Sequence, residues 1–130
     1  MSGPSARMGF QYVVLRCVPR VDREEFVNVG VVLYCQQADF LGCASLVDET
    51  RLAALATGVD VAAVRSALAA ADAVCRGDAE AGAAGQTDLG TRFGFLSAPR
   101  STVVQPGPIH GGLTTDPAAH LAHLLGILVR

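Results

Sequence analysis

The chain has no lysine and no tryptophan; all ten of its basic residues are arginine, and aromatic side chains make up 5% of it. Without lysine it cannot supply the phosphate-binding loop, whose glycines must be followed by Lys and then Ser or Thr. With alanine so abundant, the arginine-only usage reads as compositional bias, so arginine by itself carries no functional weight. Charge is scarce, at 17% of residues, and the formal balance is −2. That balance argues against non-specific nucleic-acid binding, which needs many phosphate neutralisations. The four cysteines, Cys17, Cys35, Cys43 and Cys75, show no C-x-x-C spacing and sit in apolar runs. They read as small buried thiols of a reducing compartment. No apolar run approaches the ~20 residues of a membrane span, and MSGPSARMGFQ lacks the long apolar core of a signal peptide. A soluble cytoplasmic protein with no membrane association is the expectation.

What is present suits one domain. A chain of 130 residues buries roughly two-thirds of its unfolded surface around a single core. Residues 1–9 are small and polar and read as a flexible N-terminus, leaving 10–130 as the domain. Phe10 to Val18 is rich in aromatic and β-branched residues and reads as a central strand, apolar on both faces, with Arg16 among hydrophobes. Gly30–Cys35 and Phe40–Leu46 follow as a hairpin. Asp48 is placed to cap a helix through about Ala56, and Asp60 to cap a longer one ended by Gly77. Gly77 to Gly90 reads as a surface linker, Thr91–Leu96 as a short helical turn, and Ser101–Gln105 as a fourth strand ended by Pro106, Gly107 and Pro108. Asp116 with Pro117 opens the last helix. The pattern predicts an α+β fold: a small, mostly antiparallel sheet of about four strands with helices packed on one face. No edge is hydrophobic enough to predict pairing with a second copy.

Chemistry concentrates in RFGFLSAPRSTVVQPGPIHGG, Arg92 to Gly112. No carboxylate stands between Asp88 and Asp116, while Arg92, Arg100, Ser101, Thr102, Gln105 and His110 supply donors. Arginine offers a planar fork to phosphate or carboxylate, with hydroxyls to complete a shell. The plainer reading pairs Arg100 with a surface acid and leaves the proline-rich loop to hold the fold. Arg16 divides the same way, between an ion pair with Asp22, Glu24 or Glu25 and a guanidinium aimed at a ligand. His120 and His123 lie three apart, but a lone H-x-x-H does not make a metal site. Ser101 lies on a strand and not at a nucleophile elbow. No convincing catalytic constellation emerges, the reading leans away from an enzyme, and no cofactor or metal is expected.

Two long separated motifs, YVVLRCVP with REEFVNVGVVLY, and RFGFLSAPRSTVVQPGPIHGGL with Asp116-Pro117, resemble the bacterial family called domain of unknown function 3037. The resemblance covers nearly the whole chain. It implies shared importance for Arg16, Glu24, Glu25, Asn28, Arg100, Ser101, Thr102, Gln105 and His110, and a HipA-like kinase as a possible partner. The chain departs from the family's pattern at Phe95, where tryptophan is expected, and at Gly107, where serine is. Two functions follow: a non-catalytic accessory module that binds a protein partner through the Arg92–His110 surface, or a small phosphate-ligand or nucleotide-binding domain or enzyme. The second would use Arg16 and Arg100 as anion clamps and His110 or Glu25 as acid or base, and requires the two motifs to converge.

Overall fold

The computed structural model describes residues 6–19, 25–100 and 102–130. Its centre is β1, Met8–Cys17. Val13, Leu15 and Cys17 are buried on one face of this strand and Phe10 on the other, as a strand with two apolar faces requires. Antiparallel β2, Val27–Cys35, lies beside it, and β3, Phe40–Ser45, completes the hairpin on the far side of β2. On the opposite flank of β1, two short strands pair antiparallel to it end on end. These are β4, Val104–Pro106, opposite Leu15–Cys17, and β5, His110–Thr114, opposite Met8–Tyr12.

The α+β class and the antiparallel sheet are as the sequence predicts, with two differences of detail. The sheet has five strands, because Pro106, Gly107 and Pro108 interrupt one flanking strand and the chain then resumes pairing as β5. A segment reading His-Gly-Gly has little β propensity of its own, and it is β1 that imposes the strand. Helices also cover both faces, not one. Helices α2, Val61–Arg76, and α3, Leu89–Ser97, lie over the face bearing Val13 and Leu15. Helix α4, Pro117–Leu128, lies over the other, with Leu121 and Leu124 against Phe10, Val31 and Leu33. Residues 77–90, expected as a linker, hold two short 3₁₀ turns within Ala79–Gln86, separated at Gly82 (φ 67°).

Helix boundaries follow the capping chemistry. Short α1, Glu49–Leu55, and helices α2, α3 and α4 each start after an aspartate: Asp48, Asp60, Asp88 and Asp116. Each carboxylate accepts from the backbone N–H three residues on, satisfying a donor that has no partner within the helix. Gly77 ends α2 in the left-handed conformation at φ 70°, which glycine adopts without steric cost.

Candidate functional site

The two motifs meet in the sheet. β1 pairs with β2 through Leu15 to Gly30 and Arg16 to Asn28, so Val29 is one residue too many on β2. This bulge re-aims Asn28. In unbroken register Arg16 would face Val29, and Asn28 would point to the α2 side. With the bulge, Asn28 shares Arg16's face and its Nδ2 donates to the Leu128 carbonyl of α4 at 2.9 Å. On the other flank Arg16 pairs with Gln105. Cross-strand partners share a face, so Asn28, Arg16 and Gln105 form one polar row across three strands on the α4 side.

Within that row the Arg16 guanidinium is held between two surfaces. Its central carbon lies 4.1 Å from the centre of the Phe26 ring, within cation–π range. Gly107 takes the place where a side chain would collide, since a Cβ there would come within 2.9 Å of the same carbon. The serine expected at 107 from the family's pattern would therefore displace Arg16. Two enclosed atoms in the row have no hydrogen-bond partner among the described residues, Arg16 Nε and Asn28 Oδ1, one a donor and one an acceptor. The Asn28 amide cannot simply be flipped, because its NH₂ group is the one that meets a carbonyl.

Arg92, Arg100, Thr102, Val104 and Pro106 of the same stretch lie on the other side. Val104 and Pro106 alternate with Gln105 and point to the α2 side. There they line a cleft of about 540 Å³ together with Leu15, Ala67, Ala70, Ala71, Leu96, Phe95 and Thr102. Glu80 and Arg100 are its charged lining residues. The sheet thus lies between Arg16 and Arg100, and the two cannot clamp one ligand.

The arginines of this side are engaged with backbone. Arg92 Nε donates to the Thr87 carbonyl at 2.8 Å, and its Nη1 donates to those of Val74 and Cys75 at 3.2 and 3.0 Å. A cation on the last carbonyls of α2 also complements the helix dipole. Arg100 folds back on its own turn, donating to the Phe95 carbonyl and lying 4.9 Å from the Phe95 ring centre. Thr102 donates its hydroxyl to the Val104 carbonyl at 2.7 Å, and Gln105 Nε2 donates to the Thr102 carbonyl at 2.9 Å.

His110 stands on the α4 side, exposed and stacked on Tyr12 with ring centres 5.2 Å apart. Tyr12 is 6.0 Å from Phe10, Phe10 is 4.5 Å from His120, and His120 is 6.1 Å from His123. All three histidines therefore join one line of rings, although among the described residues no cluster of metal-ligating side chains could hold an ion. Along β1, four residues at ~3.4 Å each separate the His110 level from the Arg16 level. Glu25 lies two residues before β2 and has an interaction partner. Glu24 and Ser101, like Asp22, lie outside the described residues.

Three elements of this arrangement are missing from the candidates read from sequence, and two of them leave no signal there. Phe26 as the ring under Arg16 leaves no signal, being ten residues away. Arg51, which donates to the Val129 carbonyl beside Asn28's bond to Leu128, also gives none. The alanine face of α2 does have one: Ala67, Ala70 and Ala71 form a small-residue stripe next to the Val64–Leu68 core stripe.

Thiol chemistry is suppressed at Cys17, Cys43 and Cys75. Burial, helped by the charge of Asp72, pushes the Cys43 thiol up to about 12. Burial likewise raises Cys75, with Cys43 and Asp72 adding to it, and raises Cys17. None of these three is a thiolate nucleophile near neutrality. Among the described residues, no helix is long and apolar enough to cross a membrane.

No curated protein and no solved structure matches the chain. A family model does, over residues 12–129, which takes in both motifs, the polar row and the cleft. The chain belongs to that family, described as protein of unknown function (DUF3037).

Proposed function

We propose that this domain is a non-catalytic protein-interaction module, and that the cleft between α2, α3 and β4 seats an apolar segment of its partner. The observation that supports this reading is the character of the cleft. At about 540 Å³ it is the size of a ligand pocket, yet its walls are mostly alanine, valine, leucine, proline and phenylalanine, with Thr102, Glu80 and Arg100 as the polar lining among the described residues. Alanine on a helix face lets another backbone approach closely. A phosphate site would need free donors, and Arg92 and Arg100 already donate to carbonyls of the fold.

The first partner to try is the HipA-like kinase implied by the family resemblance. Ala70 is exposed on α2 and lines the cleft, so Ala70→Arg fills the cleft without entering the core, and arginine is a good helix former. Titration calorimetry of the purified kinase against wild type and Ala70→Arg tests the reading. Binding in wild type that is lost in Ala70→Arg supports it. Binding unchanged by Ala70→Arg removes the cleft from the interaction, and absence of any stoichiometric partner in a pull-down from the native host removes the module.

A further inference from the structure

The sheet has two outer edges, and they are treated differently. Along β3 the hollows beside the strand are lined by Arg65, Asp72, Arg76 and Asp88. Charges of both signs at an edge oppose pairing with another chain. Helices α2 and α4 both reach β3 as well. β4 is three residues long, ends on Pro106 and is followed by Pro108. Among the described residues, β5 has none of these protections. It is unbulged in its pairing with β1 and contains no proline, and no aspartate, glutamate or arginine occurs from Ser101 through Thr115. Its Leu113 is 59% exposed.

Its glycines sharpen the point. Gly112 is required by the monomer, since a Cβ there would come within 2.7 Å of the Phe10 ring. Gly111 is not. A Cβ there would meet only the Phe10 carbonyl oxygen at an ordinary 3.5 Å, and its φ lies outside the left-handed region. A glycine within a strand weakens it and often marks close approach by another group. Gly9, opposite Leu113 in register, also has nothing within 4 Å of a Cβ.

We infer that β5 pairs antiparallel with β5 of a second copy of this chain, about a two-fold axis at Gly112. In that register Leu113 of each copy falls opposite Gly111 of the other and on the same face, so each leucine occupies the space that Gly111 leaves open. On the other face His110 meets Thr114. The contact is self-complementary, as a two-fold interface must be, and joins two five-stranded sheets into one. Five residues a side place it among small, reversible interfaces. The cleft on α2 is not part of it.

Sedimentation equilibrium from about 5 to about 500 µM, the range that resolves a reversible interface of this class, tests the pairing. Wild type is expected to move from 13.4 kDa towards twice that mass. Gly111→Val fills the space meant for the partner's leucine while raising strand propensity. Leu113→Arg places charge on the edge at a site exposed in the monomer. Both are expected to remain at the monomer mass over the whole range, with melting temperatures at low concentration no lower than wild type, which establishes that the loss is not misfolding. A wild type that stays monomeric throughout, a dimer that survives either variant, or assembly beyond the dimer overturns the inference.

Discussion

The two faces of the sheet use the same residue types to different ends. On the α2 side Arg92 and Arg100 are structural: each reaches back to carbonyls of its own neighbourhood, and the space they leave is an apolar cleft. On the α4 side Arg16 stands in a polar row with Asn28 and Gln105, is sandwiched between a ring and a glycine, and leaves one donor unmet among the described residues. Arginines in a glycine- and proline-rich loop are thus no guide to which cation keeps an unmet donor among the described residues. Arg92 takes the last carbonyls of α2. In the Arg16 row it is Asn28 that takes the Leu128 carbonyl at the end of α4.

The largest test of this contrast removes the anchors of each face. Phe93 is buried on the α2 side and stacks on Tyr34 with ring centres 5.5 Å apart. Phe93→Ala is expected to cost about 3–5 kcal/mol in urea unfolding. Leu124→Ala, beneath the single helix of the other face, is expected to cost less, about 2–3 kcal/mol, since α4 is freer to settle into the gap. Equal costs would mean that the two faces do not differ in how tightly they are held.

Next come the arginines themselves. Arg92→Met removes hydrogen bonds to three carbonyls, and a loss of about 2 kcal/mol is expected. Arg16→Met keeps an unbranched side chain on Phe26 and removes a buried Nε that has no partner among the described residues, so about 1 kcal/mol or less should be lost. A larger loss at Arg16 than at Arg92 in the same denaturation series would show that Arg16, not Arg92, holds the fold more strongly.

A smaller effect reads the sandwich directly. Gly107→Ala places a methyl group where Arg16's guanidinium lies. The arginine end is flexible, so about 1 kcal/mol is the expected cost, and it should disappear when Arg16 is already methionine. A double-mutant cycle measures this coupling. Additive effects would show that Gly107 is there for the proline turn and not for Arg16.

Much of this fold is legible in the sequence. Asp48, Asp60 and Asp116 announce their helices, Gly77 its stop, and the apolar run at Phe10–Val18 the central strand, because capping and burial are local chemistry. The features that are not legible depend on pairing. β5 is a strand only because Met8–Tyr12 offers it a ladder. The bulge at Val29, which turns Asn28 towards Arg16, has no sequence signature, and neither has the division of Arg16 and Arg100 between opposite faces. The candidate residues are brought together in part: Arg16, Asn28 and Gln105 share a row, His110 shares their face farther along β1, and Arg92, Arg100 and Thr102 belong to the far side.

The gentlest probe concerns the thiols, which leave stability near neutrality untouched. Cys43 on β3 and Cys75 on α2 lie together on the α2 side, and both are held protonated by burial, Cys43 up to about 12. In the unfolded chain a thiol titrates near 9.0. A group whose folded pKa is raised contributes stability that is complete below its unfolded value and is lost as pH climbs towards the folded one. Stability should therefore be level with respect to these groups up to about pH 9 and fall above it, and Cys43→Ala should flatten that fall. At pH 8 alkylation of Cys43 and Cys75 in the native protein should be much slower than in urea, read by intact mass against time. Prompt native labelling at either position would show that the α2 side opens readily and is not the rigid wall that the cleft requires.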